Sequence, residues 1–202
     1  MAHPDPDPGL DAHPLRELER WLQHARAAAV PEPDAVTFVT ADSCARPTAR
    51  TVLLKRIEPE ALLFTSTLYS RKALDLQSNP QVALLWYWPH IGRQIHITGH
   101  AHLADRALAE ELFAERPLPH RLQTVLSRQG QPIEDIQVLR HRHAHLMHAM
   151  EAPPPCPDDW GAIRVLAHTI ELWLQAPDRM HDRIVHSRDP HSNAWHTTRL
   201  AP

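Results

Sequence analysis

The segment Ser70-Arg71-Lys72 carries residue types that could hold an anion. It directly precedes a helical pattern that begins at Ala73, so Ser70 could cap a helix there. Free backbone N–H groups at a helix start, joined by two cations, make a phosphate site. The alternative is a solvated helix start with two ordinary basic residues.

An apolar strand pattern with a cation at each end runs from Arg50 to Lys55. Side chains alternate between the two faces of a strand, so these two cations should face opposite sides. One small ligand could contact both only at a strand end, at a bulge or at a subunit boundary. The alternative is a core strand flanked by two cations whose stems lie along apolar surface.

A third basic segment is Arg179-Met-His181-Asp-Arg183, whose period of two would place three basic side chains on one strand face. A histidine between two arginines could bind an anionic, planar ligand and transfer a proton. The alternative is an exposed edge strand. Trp173 lies a few residues upstream and could provide an aromatic wall or fill the core.

The seventeen histidines include two groups that share a face. His96, His100 and His102 alternate along a strand pattern, and residues 141, 145 and 148 are histidines at helical spacing. No cysteine or carboxylate pattern completes either group into a recognised metal site, so we predict solvated faces and no metal. The chain also has no Gly-rich phosphate loop, no G-x-S-x-G elbow and no H-E-x-x-H helix.

Besides the helical pattern that begins at Ala73, the first half of the chain predicts one helix and several short strands around these segments. Residues 1–13 alternate Pro, Asp and His without periodicity and are predicted to form a disordered tail. Apolar residues at three- and four-residue steps predict a helix over residues 15–29. The β-rich runs at residues 36–40, 50–57, 62–67 and 82–88 predict strands, and two-residue alternation predicts another over 94–103.

The second half predicts two helices followed by three strands. Asp105 should cap a helix that Pro117 stops, and a further helix is predicted from about residue 134 to about residue 150. Strands are predicted around residues 162–175, 182–188 and 194–200. Seven or eight strands with peripheral helices indicate a mainly β, antiparallel barrel with α additions, in one domain over residues 14–202.

Composition excludes several classes of protein. Twenty-one Lys and Arg residues against 24 Asp and Glu residues leave no basic excess for binding nucleic acid. The longest strongly apolar run, residues 82–88, is far shorter than the ~20 residues that span a bilayer. Cys44 and Cys156 are too few for a disulfide framework, and the N-terminus lacks the apolar stretch of a secretory signal. These features predict a cytoplasmic protein.

An ordered set of short motifs resembles the pyridoxamine 5′-phosphate oxidase family of FMN-dependent split-barrel enzymes. The matching segments extend over nearly the whole chain after residue 13. They are Leu18-Glu-Arg-Trp-Leu22, Arg46-Pro-Thr-Ala-Arg-Thr-Val-Leu-Leu-Lys55, Ser70-Arg-Lys72, Ser78-Asn-Pro80, Arg93-Gln94, Ser127-Arg-Gln129, Glu171-Leu-Trp173, Arg179-Met-His-Asp-Arg183 and Arg199-Leu-Ala-Pro202.

The resemblance implies a split β-barrel homodimer with FMN at the subunit interface. In that arrangement residues from two chains converge on one ligand, which would resolve the opposite parity of Arg50 and Lys55. By motif position, the cofactor-binding residues are Arg50, Thr51, Val52, Leu53, Leu54, Lys55, Thr65, Ser66, Arg71, Lys72, Gln94, Gln129, Trp173 and Arg183. A phosphate dianion needs several Arg and Lys donors, which this set supplies.

The resemblance also implies a substrate site against the flavin. Arg179 and His181 would be catalytic and lie over the substrate ring, while Lys55 and Arg116 would hold its phosphate. Two pocket positions depart from the family, because Leu112 replaces a tyrosine and His120 replaces a serine. The glutamine that follows this serine in the family is replaced here by Arg121. Together with His120, Arg121 could donate hydrogen bonds to an anion.

The expected activity is an FMN-dependent oxidation of pyridoxine or pyridoxamine 5′-phosphate to pyridoxal 5′-phosphate, with O₂ as acceptor and H₂O₂ as product. An alternative keeps the flavin and oxidises a reduced aromatic intermediate of secondary metabolism, as relatives in phenazine biosynthesis do. A flavin-binding protein without turnover is a third hypothesis, which the presence of Arg179 and His181 disfavours.

Overall fold

The computed structural model describes residues 13–202. Within that range lie five α-helices and nine strands, which are numbered in chain order. They are α1 (Pro14–Ala27), β1 (Ala35–Ala41), β2 (Pro47–Leu53), β3 (Arg56–Ile57), β4 (Leu62–Thr67), α2 (Arg71–Ser78), β5 (Gln81–Trp88), β6 (Arg93–Leu103), α3 (Arg106–Ala114), α4 (Leu118–Leu126), α5 (Ile136–Ala149), β7 (Trp160–Leu174), β8 (Asp182–Arg188) and β9 (Trp195–Leu200).

The strands form one antiparallel sheet in the order β2-β1-β5-β6-β7-β4-β3, with β8 paired to β7 and β9 paired to β8. The long strand β7 divides this sheet. Its first half pairs with β4 and its second half with β8, while β6 runs along its other edge. The division curls the sheet into a split barrel, which confirms the predicted fold class with nine strands rather than seven or eight.

The β6–β7 register shifts between Thr98 and Gly99, where β7 has one extra residue, His168, beside this division. A Cβ atom at position 99 would lie 2.1 Å from the carbonyl oxygen of Leu166. Glycine is therefore required where β6 and β7 approach most closely.

The core lies between the inner face of the sheet and helix α1. Leu18 and Leu22 of α1 are fully buried in one cluster with Phe38 of β1 and Ile95 of β6. Their three- and four-residue spacing places them on one helical face, so burial of this face fixes α1 against the sheet. The predicted helix over residues 15–29 is confirmed as α1.

The predicted strand over residues 50–57 is wrong as one continuous element. Strand β2 ends at Leu53, after which the Leu54 N–H donates to Asp34 O and the Lys55 N–H donates to Leu63 O. The chain therefore stops pairing with β1 and begins to pair with β4 at residues 54–55. This change of partner is a strand end, and Arg50 and Lys55 both line the cavity that it borders.

Three other expectations also need correction. Arg179 has a φ of 65°, in the left-handed region, and β8 begins after it at Asp182, so simple alternation does not place Arg179, His181 and Arg183 on one strand face. Helix α4 was not predicted, because Pro117 was expected only to end the preceding helix, whereas it also occupies the N-cap position of the next one. Ser70 occupies the N-cap position of α2, but its hydroxyl makes no capping bond.

The remaining elements agree with the sequence patterns to within a few residues. Asp105 caps α3 as predicted, since its Oδ1 accepts the Leu108 N–H at 2.8 Å. Of the predicted tail, residues 1–12 lie outside the described residues, and His13 contacts Glu60 through Nε2 at 3.3 Å. Within residues 13–202, none of the helices combines the length and apolar character needed to cross a membrane.

Candidate active site

A cavity of about 330 Å³ lies where the end of β2, strand β4, the start of α2 and helix α4 meet. We call it the anion cavity, because its described lining includes four cationic side chains and no acidic one. Its lining comprises Arg50, Thr51, Val52, Leu53, Lys55, Thr65, Ser66, Thr67, Lys72, Arg116, Gln123, Thr124, Ser127, Gln129 and Trp160.

One end of the anion cavity holds Lys72 and Arg50. The Lys72 side chain is 6% exposed, and its Nζ donates to Ser66 Oγ at 2.7 Å and to Ser70 Oγ at 3.3 Å. Burial, aided by the nearby positive charge of Arg50, lowers the pKa of Lys72 to about 8. The hydroxyl of Ser70 is thus a partner of Lys72 rather than a helix cap.

Arg50 is held by neutral oxygen atoms. Its Nη1 donates to Phe38 O at 3.1 Å and to Thr40 Oγ1 at 2.9 Å, and its Nη2 donates to Thr48 Oγ1 at 2.6 Å. Burial lowers the pKa of Arg50, although the carboxylate of Asp75 opposes this shift at longer range. The guanidinium is therefore fixed in place with no acidic group bonded to it among the described residues.

The other end of the anion cavity holds Lys55 and Arg116. Burial lowers the pKa of both, and the positive charge of Arg116 lowers that of Lys55 further. The Arg116 guanidinium carbon lies 4.5 Å from the centroid of the Trp160 ring, and Nη2 donates to His120 O and to Thr124 Oγ1. This end is a second pair of cations, separate from Lys72 and Arg50.

Four cations therefore line the anion cavity, and none of its described lining residues is acidic. Desolvating like charges next to one another is unfavourable unless a counter-ion arrives. A ligand with two anionic groups, or two ligands with one each, would match this donor set. The hydroxyls of Thr65, Ser66 and Thr67 add neutral donors to the same wall.

Arg71 lies beside this cavity but does not belong to its lining. Its Nη2 donates to Asp42 Oδ2 at 3.0 Å and its Nε to Asp75 Oδ1 at 2.8 Å. The hydrogen bonds of Asp75 with the hydroxyls of Thr40 and Thr48 help to keep its pKa low. The charge of Arg71 is thus already compensated, in contrast to that of Lys72.

A second group of predicted site residues lies on the sheet, and we call it the Trp173 cluster. Gln94, Trp173 and Arg183 are direct neighbours across β6, β7 and β8, and His181 lies beside Trp173 with ring centroids 4.7 Å apart. Arg183 Nε donates to Glu171 Oε1 at 2.7 Å, so this cation is paired. The Trp173 cluster does not share the lining of the anion cavity in one chain.

His181 has a defined tautomer when neutral. Its Nδ1 accepts the Ala176 N–H at 3.1 Å, so the ring proton lies on Nε2. The hydrogen bond holds the ring against the loop between β7 and β8. Arg179, in the same loop, is exposed, and its N–H donates to Ala176 O at 3.2 Å.

The remaining predicted residues divide between the cavity and other places. Thr51, Val52, Leu53, Thr65, Ser66 and Gln129 line the anion cavity. Leu54 and Leu112 are buried in the two apolar clusters, and His120 lines a groove between α4 and α5 instead. Arg121 turns back to the carbonyl oxygens of Arg116 and Ala114.

Sequence reasoning missed five residues of the cavity wall. Thr67 and Trp160 close the ends of β4 and β7, and Gln123, Thr124 and Ser127 come from α4 and its C-cap. The last three depend on α4, which was not predicted. Within the described chain, no three His, Cys, Asp or Glu side chains are placed to hold a metal ion.

Both parts of the chain match known protein families. Residues 22–146 match the family described as pyridoxamine 5′-phosphate oxidase, and residues 160–202 match the pyridoxine 5′-phosphate oxidase C-terminal dimerisation region. The second match covers β7, β8 and β9 and supports a homodimer.

Curated relatives extend over almost the full chain. A pyridoxine/pyridoxamine 5′-phosphate oxidase of Paraburkholderia phytofirmans is 35% identical over 193 residues, covering 96% of this chain and 91% of that protein. The one from Rubrobacter xylanophilus is 36% identical over 195 residues, covering 96% of this chain and 89% of that protein.

Two solved structures share the fold. PhzG from Burkholderia lata, in complex with tetrahydrophenazine-1-carboxylic acid, superposes with a TM-score of 0.90 and is 31% identical, covering 98% of this chain and 97% of that chain. A pyridoxamine 5′-phosphate oxidase-related, FMN binding protein from Nostoc punctiforme has a TM-score of 0.77 at 18% identity, covering 96% and 100% of the two chains. The latter similarity supports the fold alone.

Proposed function

Because this chain belongs to the pyridoxamine 5′-phosphate oxidase family of flavin-dependent oxidoreductases, we propose that it oxidises pyridoxine or pyridoxamine 5′-phosphate to pyridoxal 5′-phosphate. FMN would be its cofactor and O₂ the final electron acceptor. The observation that carries this proposal is the anion cavity, in which two pairs of cations have no acidic partner in the described lining. The cofactor and the substrate would each bring one phosphate group to it.

The Lys72 end of the anion cavity fits the phosphate of FMN. Lys72, Arg50 and the hydroxyl of Ser66 would bind it, and Arg71 would add positive potential from the second layer. Lys72 is buried and its hydrogen-bond partners are two neutral serine hydroxyls. Its ammonium group therefore offers a phosphate dianion a positive charge that no carboxylate neutralises. Thr51, Val52, Leu53 and Gln129 would line the flavin ring.

The Trp173 cluster would complete the flavin site from the second subunit of a homodimer. Gln94 and Arg183 would provide hydrogen-bond donors for the polar edge of the ring, and Trp173 would provide an apolar wall. The match of residues 160–202 to a dimerisation region supports this arrangement.

The Lys55 end of the anion cavity fits the phosphate of the substrate. FMN, when bound, supplies the redox chemistry by taking two electrons from the substrate and passing them to O₂. Pyridoxine 5′-phosphate and O₂ would give pyridoxal 5′-phosphate and H₂O₂, and the amine substrate would also consume water and release ammonia. Lys55 and Arg116 would orient the substrate so that its exocyclic carbon meets the flavin.

His181 and Arg179 would act at the reacting end of the substrate. The Nε2 proton of His181 is free to bond a substrate oxygen or nitrogen, because Nδ1 already accepts the Ala176 N–H. Arg179, exposed in the same loop, would lie over the pyridine ring and add a cation to its anionic groups.

A second candidate substrate is a reduced tricyclic aromatic acid of the phenazine type. Similarity to PhzG, solved with tetrahydrophenazine-1-carboxylic acid, favours it. The positions of Leu112 in the apolar cluster and of His120 outside the anion cavity also favour it, because neither side chain supplies a hydroxyl to a phosphate there. A substrate carboxylate would then occupy the Lys55 end.

Two measurements test these proposals. The purified protein should be yellow and show a flavin spectrum, and oxygen consumption with pyridoxine 5′-phosphate should exceed that with a dihydrophenazine carboxylate. The opposite preference would favour the phenazine-type substrate. A colourless protein that takes up no added FMN would contradict both enzyme hypotheses, and a yellow protein inactive with both substrates would indicate flavin binding without turnover.

A further inference from the structure

Arg116 is held on three sides before any ligand binds. Its guanidinium lies over the Trp160 ring, and its Nη2 donates to the carbonyl oxygen of His120 at 3.2 Å and to Thr124 Oγ1 at 3.3 Å. Its Nη1 has no hydrogen-bond partner among the described residues. The side chain therefore presents one half of its fork to the protein and keeps the other half for a ligand.

Thr124 is the side chain that fixes this orientation. It is 7% exposed, lines the anion cavity, and donates its own hydroxyl proton to His120 O at 2.9 Å. Since that proton is committed, Thr124 Oγ1 faces Arg116 as an acceptor alone. The aromatic ring of Trp160 sets the plane of the guanidinium, and the Thr124 oxygen sets its rotation within that plane.

A pre-oriented guanidinium favours an anionic ligand whose oxygen atoms accept from Nη1, since Nη2 is already committed to the protein. Phosphate and carboxylate oxygens form stronger, charge-assisted hydrogen bonds with that group than a neutral hydroxyl group does. Fixing the rotation of Arg116 before binding also removes part of the conformational entropy that binding would otherwise cost. Among such ligands a phosphate dianion should bind most tightly, because the ammonium group of Lys55 lies near the same guanidinium and adds a second positive charge.

We propose that Thr124 is a positioning residue that acts through Arg116 to select substrates carrying a phosphate group. This inference rests on the proposed function, since it concerns the substrate end of the anion cavity. Thr124 does not contact the substrate in this proposal. It holds the Arg116 guanidinium in one orientation with Nη1 left for the ligand, and its loss weakens binding of the phosphate without altering the chemical step.

The test compares Thr124→Val, which keeps the shape and removes the acceptor, with Thr124→Ser, which keeps the hydroxyl. With pyridoxine 5′-phosphate we expect Thr124→Val to raise KM about fivefold and leave kcat within about twofold, since one hydrogen bond to a charged group is lost. Thr124→Ser should behave as the original protein. Turnover of unphosphorylated pyridoxine and the Kd of FMN should not change.

A matched control and a double variant separate positioning from packing. Val125→Thr alters the next residue of α4, which is exposed, and should leave all parameters unchanged. In an Arg116→Lys background, Thr124→Val should have no further effect, because the fork that it orients is absent. A full additional fivefold loss in that background would overturn the inference.

Direct binding makes the result independent of turnover. Pyridoxal 5′-phosphate and inorganic phosphate are titrated into the FMN-loaded protein, and Thr124→Val should raise both Kd values by about the same factor as KM. If the original protein binds FMN but does not turn over pyridoxine 5′-phosphate, the proposed function fails and these titrations still decide the inference. Unchanged Kd values in Thr124→Val, or an equal loss in Thr124→Ser, would overturn it.

Discussion

The anion cavity and the Trp173 cluster differ in whether their cationic side chains have an acidic partner. In the cavity, Lys72 and Arg50 donate to hydroxyl and carbonyl oxygens, and Arg116 lies over an aromatic ring. In the Trp173 cluster, Arg183 donates directly to the carboxylate of Glu171 at 2.7 Å. Both regions were predicted from basic motifs, yet the structure leaves charge uncompensated in one of them and balances it in the other.

The difference assigns the two regions different tasks. An uncompensated, buried cation lowers the stability of the empty protein, and an anionic ligand recovers that free energy on binding. A cation already paired to a carboxylate gains little from a second anion. We therefore expect the anion cavity to provide affinity for phosphate, and the Trp173 cluster to orient the reacting end of the substrate against the ring.

His181→Ala should have the largest effect, because it tests the role of the Trp173 cluster at the reacting end of the substrate. Flavin reduction by pyridoxine 5′-phosphate should slow by about 10²-fold or more, because the Nε2–H hydrogen bond that orients the reacting end of the substrate is lost. The FMN Kd should stay within about twofold, since the phosphate is bound elsewhere. Stopped-flow absorbance without oxygen measures the first quantity, and quenching of flavin fluorescence measures the second.

A histidine outside both regions provides the control for that change. His141→Ala removes a side chain exposed on α5 and should alter neither quantity. Equal losses of reduction rate and FMN affinity in His181→Ala would mean that the two regions do not divide the work as proposed.

Lys72→Met should have the next largest effect, on affinity instead of rate. Removing the buried ammonium should raise the FMN Kd by about 100-fold, because a charge-assisted bond and its Coulomb attraction are both lost. Arg71→Ala should raise it by about tenfold at most, since Asp42 and Asp75 already balance that charge. Equal effects of the two would contradict the role of uncompensated charge.

Arg46→Met is the control for Lys72→Met. Arg46 is a mostly exposed cation whose Nε donates to Asp42 Oδ2, and it does not line the anion cavity. Its loss should change the FMN Kd by less than about twofold. A large effect would indicate that general positive potential, and not the cavity pair, holds the cofactor.

The low pKa of Lys72 predicts a smaller, pH-dependent effect in the anion cavity. Its folded-state pKa of about 8 lies below the ordinary value of 10.5, so the unfolded chain binds more protons between these values. The contribution of Lys72 to the stability of the empty protein therefore rises with pH over that interval. FMN affinity should move the other way, because binding phosphate requires the charged amine.

Titrations of FMN at several pH values test this expectation. Above about pH 8 the FMN Kd should rise by up to about tenfold per pH unit, until the bound form also loses its proton. In Lys72→Arg the guanidinium stays charged, so this rise should disappear. A slope that persists in Lys72→Arg would assign the titration to another group.

The two regions differ in how much of their residue arrangement could be predicted from the sequence. Three residues of the Trp173 cluster, Gln94, Trp173 and Arg183, lie on regular strands, where alternation and pairing determine which side chains are neighbours, so a motif and a strand prediction suffice for them. Arg179 and His181 lie in a loop with a left-handed residue, and alternation fails there. The fold class was predictable because apolar periodicity persists over most strands.

The anion cavity depends on features that periodicity does not encode. The change of pairing partner at residues 54–55 involves backbone hydrogen bonds from Leu54 to Asp34 and from Lys55 to Leu63, and side-chain patterns carry no signal for it. Helix α4 contains a proline in its first turn, where proline is tolerated, but no helix was predicted directly after Pro117. Gln123 and Thr124 were missed for that reason. The absence of acidic partners for Lys72 could be seen only in three dimensions.

Two variants that are each nearly inactive when FMN is kept well below the Kd of Lys72→Met can be mixed to test whether the two regions meet across a subunit boundary. In a dimer of Lys72→Met and His181→Ala chains, one site would combine both changes and the other would combine two unaltered regions. Random exchange of subunits should therefore restore about a quarter of the original number of sites, starting from two inactive preparations. Co-refolding the two variants and measuring oxygen consumption gives this number. If both regions served the same site from one chain, every site in the mixture would carry one of the two changes, and activity would stay at the level of the separate variants.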